Sequence, residues 1–278
     1  MNNSFNFLYR DLLITIFEKL DFESQTNLKQ SCHDFYVDLQ ITNLYDLSSE
    51  YQQKLSDRII LLSGQFKKII KLDAKYNKNI TNIGIKYSIN LQELNLMGNE
   101  NITDDGIKNL LKLKKLNISH NSNITDEGIK NLTNLQELNI SFNNKITDNI
   151  IKNLTKLQIL NVFKNGRVTD DGIKNLTNLQ ELHVNQEITD EGIKNLINLR
   201  EFYASGNEKI TDEGIKHLIS LRELYGFGNE KITNEGIKHL KNLNKYPRML
   251  IPISLVGNNS IRINPIRINP IRINPTGN

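Results

Sequence analysis

The chain has one cysteine, Cys32, among its 278 residues. An intramolecular disulfide is therefore impossible, and a reducing compartment, cytoplasm or nucleus, is expected. No stretch of 18 apolar residues occurs, so no transmembrane helix and no membrane partner are expected. Near the start, Arg10, Asp11, Glu18 and Lys19 stand where a secretory leader needs an uncharged apolar run, which argues against export. Excess charge is also missing. The net charge is +4, and Arg262, Arg267 and Arg272 of a short tail account for most of it, so nucleic acid is not an expected partner. Catalytic patterns are absent too. His33, His120, His183, His217 and His239 have no metal-ligand spacing with carboxylates or with Cys32. Neither a phosphate-cradling glycine loop nor a nucleophile elbow occurs. The expectation is a non-enzymatic chain with no cofactor, no metal and no catalytic residue.

What dominates instead is repetition. The phrase Ile-Thr-Asp-Glu-Gly-Ile-Lys-Asn-Leu recurs with small changes. Its threonines are Thr81, Thr103, Thr125, Thr147, Thr169, Thr189, Thr211 and Thr233, spaced by 22 residues except for one interval of 20. Between the phrases runs Leu-x-x-Leu-x-Leu-x-x-Asn, as in Leu91, Leu94, Leu96 and Asn99, or Leu135, Leu138, Ile140 and Asn143. Leu138 and Ile140, two apart, point to one face of a strand. Ile151, Leu154 and Leu157, three apart, predict a helical face. Thr125 before Asp126 and Glu127 supplies a hydroxyl cap followed by carboxylates at the positive end of the helix. One such unit cannot bury its apolar face alone, so the units must stack into a solenoid.

These motifs resemble the leucine-rich repeat over roughly residues 66 to 258. The resemblance implies an α/β solenoid with a concave parallel sheet and convex helices. Three ladders follow from stacking. Asn77, Asn99, Asn121, Asn143, Asn165, Asn207, Asn229 and Asn258 are expected to bond backbone groups of the turns. In the short repeat the ladder is expected to break, with a tightened turn at Asn185 to Glu187. Gly84, Gly106, Gly128, Gly172, Gly192, Gly214 and Gly236 are expected in helices, where glycine is costly, and so point to close packing of adjacent turns. Ile150 replaces one of them, and a local widening is expected there. Lys108, Lys130, Lys152, Lys174, Lys194 and Lys216 each follow an Asp by four residues, a favourable helical ion pair on a solvated face.

Outward strand positions are free of core constraints and are the natural place for recognition. In the N-terminal half they are mostly Asn and Ser copied with the repeat. In the C-terminal half they become Phe163, His183, Tyr203, Tyr225 and Phe227, flanked by Glu181, Glu201 and Glu223. Strands lie about 4.8 Å apart, so these rings are expected to form one patch for a target protein with basic residues beside an apolar anchor.

The first forty residues do not fit the repeat. Leu8, Leu12, Leu13, Ile16, Phe17 and Leu20 give an amphipathic helical face, and Leu28, Cys32, Phe35 and Tyr36 a second apolar set. This stretch resembles an F-box, with Tyr9 where that family usually has Pro and Phe35 where it usually has Trp. The resemblance implies a small all-α region that binds the adaptor Skp1 and makes the chain a substrate-recognition subunit of a Skp1–cullin–F-box ubiquitin ligase. The alternative reading is that the helices only cap the solenoid of a stand-alone binding scaffold. The module order and the heavy use of Asn, Ile and Lys resemble F-box and leucine-rich-repeat proteins of amoebae and of mimivirus-like giant viruses, which would place a viral chain inside its host cell. The expected organisation is 1–40 F-box-like, 41–69 a divergent capping repeat, 70–259 the repeat array and 260–278 a disordered Ile-Arg-Ile-Asn-Pro tail, in a monomer apart from its partners.

Overall fold

The computed structural model describes residues 69–244 and, ahead of them, 43–44, 53, 55–57 and 60. The expectations for residues 1–40, for the repeat ending at Asn258 and for the tail lie outside the described residues.

Among the described residues nine strands form one parallel sheet in chain order: β1 (Asn43–Leu44), β2 (Lys71–Asp73), β3 (Glu93–Asn95), β4 (Lys115–Asn117), β5 (Glu137–Asn139), β6 (Ile159–Asn161), β7 (Glu181–His183), β8 (Glu201–Tyr203) and β9 (Glu223–Tyr225). The register is that of the repeat, with Leu116 opposite Leu138 and Leu138 opposite Leu160. Between strands β2 and β9, and after β9, come one-turn helices: α1 (Asn82–Ile85), α2 (Asp104–Ile107), α3 (Asp126–Ile129), α4 (Asp148–Ile151), α5 (Asp170–Ile173), α6 (Asp190–Ile193), α7 (Asp212–Ile215) and α8 (Asn234–Ile237). No helix among the described residues is long and apolar enough to cross a membrane.

The repeats between the first and the last described bury the same six apolar positions. In one of them Leu113, Leu116, Ile118, Ile124, Ile129 and Leu132 are all 0–2% exposed. Full burial of such a side chain is worth about 1.5–3 kcal/mol, and it is completed only by the neighbouring repeats. The helical face expected from Ile151 through Leu157 is a correction. The helix stops after one turn at Ile151, and Leu154 and Leu157 are reached by successive bonds from Leu154 N–H to the Ile151 carbonyl and from Leu157 N–H to the Leu154 carbonyl. A strict spacing of three suits consecutive i→i+3 turns, with three residues per turn, better than an α-helix with 3.6.

The turn after each strand explains the asparagines. Asn143 N–H bonds the Ile140 carbonyl, and Phe142 between them has φ 59°. Tyr76, Gly98, His120, Lys164, Gly206 and Gly228 hold the same place with φ of 53–72°, as the third residue of a type II turn requires. The ladder asparagine then reaches both ways. Asn207 Nδ2 donates to the carbonyls of Asn185 and Ile188, and its Oδ1 accepts from the N–H groups of Lys209 and Ile210.

The expected break at the short repeat does not occur. Asn185 is buried, donates to the carbonyls of Asn165 and Val168, and accepts from the N–H groups of Glu187 and Ile188. The two missing residues are those equivalent to Phe163 and Lys164. They lie before the asparagine, so the chain omits the type II turn and keeps the ladder. Asn185 is thus the ladder residue and not an outward strand position.

A second ladder joins neighbouring repeats. The first helical residue reaches forward: Asp190 Oδ1 accepts from Thr211 N–H at 2.8 Å and Oδ2 from the Thr211 hydroxyl at 2.7 Å. The same pair of bonds joins Asp57 to Thr81 and recurs at Asp104, Asp126, Asp148, Asp170 and Asp212, while at Thr103 Asn82 accepts from the backbone N–H and donates from its Nδ2 to the hydroxyl. The lysine pairing expected from the i+4 spacing is corrected accordingly. Lys174 and Lys194 bridge the acids three residues before them, Asp171 and Glu191, both at 2.5 Å. The acids four residues before are committed to the next threonine.

The glycines do mark close approach. A Cβ on Gly214 would lie 2.2 Å from Asp190 Oδ1 and 3.1 Å from its Cα. Where Ile150 stands instead, α3 and α4 approach less closely than the other neighbouring helices, as expected.

Candidate functional site

The outward face of the sheet divides in two. On β2 to β6 the last strand residue is Asp73, Asn95, Asn117, Asn139 or Asn161, and each Oδ1 accepts the backbone N–H two residues on, at 2.9–3.1 Å. These asparagines end their strands as Asx turns. The position before the inward leucine alternates in sign here. Lys71 pairs with Glu93 at 2.9 Å and Lys115 with Glu137 at 2.6 Å, each across a strand boundary. An open groove of about 220 Å³ crosses from β3 to β7, lined by Asn117, Asn139, Asn161 and Ile159 and ending at Glu181 and His183.

From β7 onward the pattern changes. His183, Tyr203 and Tyr225 stand opposite one another in register. Their rings stack nearly parallel, His183 on Tyr203 at 3.8 Å and 5°, Tyr203 on Tyr225 at 4.4 Å and 2°. Each polar tip reaches the glutamate two residues earlier. His183 Nε2 lies 2.8 Å from Glu181, the Tyr203 hydroxyl donates to Glu201 at 3.3 Å, and the Tyr225 hydroxyl donates to Glu223. Burial, then the neighbouring Tyr225 and the Glu201 and Glu181 carboxylates, hold the Tyr203 phenol well above the usual tyrosine range. Three glutamates adjacent in register would repel one another. Hydrogen-bond donors on the same strands moderate that repulsion, and the result is an acidic, aromatic strip that is half-buried.

The single patch expected from sequence is not formed. Phe163 packs edge-on against Phe142 at 5.7 Å, and Phe142 stacks on His120 at 4.2 Å. Phe227 is 53% exposed and has no ring partner among the described residues. The cause is the short repeat. It has no residue in the column that holds Phe163 and Phe227, so that column is interrupted beside the His183 stack. His120 and Phe142 were not among the expected site residues. They occupy the turn position before the ladder asparagine, and reading that column as Tyr76, Gly98, His120, Phe142, Lys164, Gly206, Gly228 would have found them. Leu8, Leu12, Leu13, Ile16, Phe17 and Leu20, expected to bind Skp1, lie outside the described residues.

Comparison with known proteins gives the same architecture. Residues 87–111, 109–132, 131–154 and 153–177 match the family model of the Leucine Rich repeat. The structure of internalin C2 from Listeria monocytogenes is similar at a TM-score of 0.58 and 28% identity, covering 68% of this chain and 88% of that one. A leucine-rich-repeat protein of Leptospira interrogans is similar at a TM-score of 0.57 and 25% identity, covering 77% of this chain and 56% of that one. No curated protein sequence matches.

Proposed function

We propose that this leucine-rich-repeat solenoid is a protein-recognition scaffold. Its outward sheet face holds a target at His183, Tyr203 and Tyr225, and residues 1–40 act as an F-box that joins Skp1, making the chain a substrate-recognition subunit of a Skp1–cullin–F-box ubiquitin ligase. The observation that carries the recognition role is the His183–Tyr203–Tyr225 stack, with each ring tied to a glutamate on its own strand. Pre-ordered aromatic side chains lose little entropy on binding and are enriched where binding energy concentrates. Glu181 and Glu201 favour basic groups on the target. The groove leading from β3 to Glu181 and His183 gives an extended target segment a path across the strands. Support for the ligase role comes from the order of modules in the sequence, an F-box-like stretch ahead of the repeats.

Two measurements test the two parts. Capture of Skp1 by the full chain, lost in Leu13→Asp with Phe17→Asp, is expected; absence of Skp1 binding by the unaltered chain rejects the F-box role and leaves a stand-alone scaffold. For targets recovered by proximity labelling, Tyr203→Ala with Tyr225→Ala is expected to weaken binding at least tenfold. If binding survives that change and is lost in Asn117→Ala with Asn139→Ala, recognition lies on the other half of the face.

A further inference from the structure

The rim of turns between the sheet and the helices carries a second aromatic group that the sheet-face reading does not use. His120 and Phe142 hold the left-handed place of their turns, with φ of 55° and 59°. Histidine tolerates that backbone conformation, but a bulky ring such as phenylalanine rarely does. The repeat has a relaxed alternative in the same place, since Gly206 and Gly228 adopt φ of 69° and 72°. Phe142 is nevertheless there, 45% exposed, stacked on His120 and touching Phe163 edge-on. Strained and exposed apolar residues kept together point to function more than to stability.

Three cations stand beside these rings, and the first acid at the equivalent rim place is Glu187 of the next repeat. Lys164 follows Phe163, and its ammonium lies 5.8 Å from that ring's centre. Lys145 and Arg167 occupy equivalent exposed positions two residues after the ladder asparagines Asn143 and Asn165. None of the three cations has a carboxylate partner among the described residues, whereas Lys209 further along the rim is paired with Glu187 at 2.9 Å. The sheet face a strand away carries the opposite charge, Glu181 and Glu201. The two surfaces therefore select different partners.

We propose that the rim formed by His120, Phe142, Phe163, Lys145, Lys164 and Arg167 docks an acidic protein segment bearing aromatic or aliphatic anchors, independently of the sheet face. The rings seat the anchors, and the three cations pair with the segment's carboxylates.

The test uses the full chain and a fluorescent twelve-residue peptide, Glu-Phe-Asp-Leu repeated three times, followed by anisotropy. Saturable binding is expected, weakened at least tenfold when the peptide acids are replaced by lysine. Lys145→Glu with Arg167→Glu is expected to weaken it at least tenfold, while Tyr203→Ala with Tyr225→Ala leaves it unchanged. His120→Gly with Phe142→Gly is expected to abolish binding without lowering the melting temperature, because glycine relieves the backbone. A fall of several degrees in that variant would mean the rings serve stability and would overturn the proposal. So would peptide binding that ignores the charge reversals, no saturable binding at all, or preference for a single-stranded oligonucleotide of similar length. Loss of sheet-face binding in the tyrosine variant with rim binding intact would separate the two readings.

Discussion

Asn185 is the residue on which the short repeat turns. Its side chain serves two carbonyls and two N–H groups in a buried site. Alanine there would leave those groups without partners, at roughly 1–3 kcal/mol for each one not rescued by water. Asn185→Ala is expected to cost about 3 kcal/mol or more, as much as Asn165→Ala, in urea unfolding; a cost under 1 kcal/mol would mean the ladder is dispensable at this step. Tyr203 makes a different kind of claim. Its folded pKa lies above the ordinary 10.0. Its contribution is therefore fully present below pH 10 and is lost as pH rises toward the folded value. Tyr203→Phe is expected to make unfolding above pH 10 less steep, and alkaline unfolding curves that coincide would refute this.

At the scale of the element, each one-turn helix is fixed by its neighbour more than by its own hydrogen bonds. Its threonine cap is held by a side chain of the preceding repeat, as Thr211 is by Asp190 and Thr103 by Asn82. In an isolated helix, alanine would be preferred to glycine by about 1 kcal/mol. At Gly214 the added Cβ would meet Asp190 at both its carboxylate and its backbone, so the ladder has to shift. Gly214→Ala is expected to destabilise by about 1–3 kcal/mol, the reverse of what helix propensity predicts, in thermal or urea unfolding. The strand-to-turn junction is the tolerant counterpart. Inserting Ser-Gly between Val184 and Asn185 restores the length of the other repeats and the type II turn they share. The folded state is expected to persist with stability within about 1 kcal/mol, since loop changes of this size cost little. Loss of cooperative unfolding in that variant would show that the short repeat is a structural requirement.

For the whole described array, burial passes from repeat to repeat, and each unit depends mainly on the two beside it. A regular stack keeps every column in line. The short repeat therefore acts on the molecule as a whole: it leaves the core, the asparagine ladder and the aspartate ladder continuous and interrupts only the outward column between Phe163 and Ser205. That interruption divides the exposed aromatic residues into a strip on β7 to β9 and a rim on the earlier turns. Cross-strand salt bridges belong to one part, Lys71–Glu93 and Lys115–Glu137, and hydroxyl–glutamate contacts to the other. The expected consequence is two separable binding activities. Changes at Tyr203 and Tyr225 should leave the rim intact, as competition between ligands of opposite charge would reveal.

The sequence by itself determined the solenoid. Leu138 and Ile140 two apart, Asn143 three residues later and a 22-residue period leave one way to bury the apolar positions, because period and spacing are local and survive without knowledge of the neighbours. It also located the glycine approach and the widening at Ile150, since a missing Cβ or an added side chain is visible in one column. Tertiary structure alone decided which acid answers which base. Asp190 is four residues from Lys194, yet its two oxygens face Thr211 of the next repeat, a contact that spacing within one repeat cannot show. It decided where two missing residues are removed, because the buried amide of Asn185 is worth more than an exposed turn. And it decided which rings meet: His183 with Tyr203 and Phe163 with Phe142, since stacking depends on the register between repeats and on the turn each ring is held by.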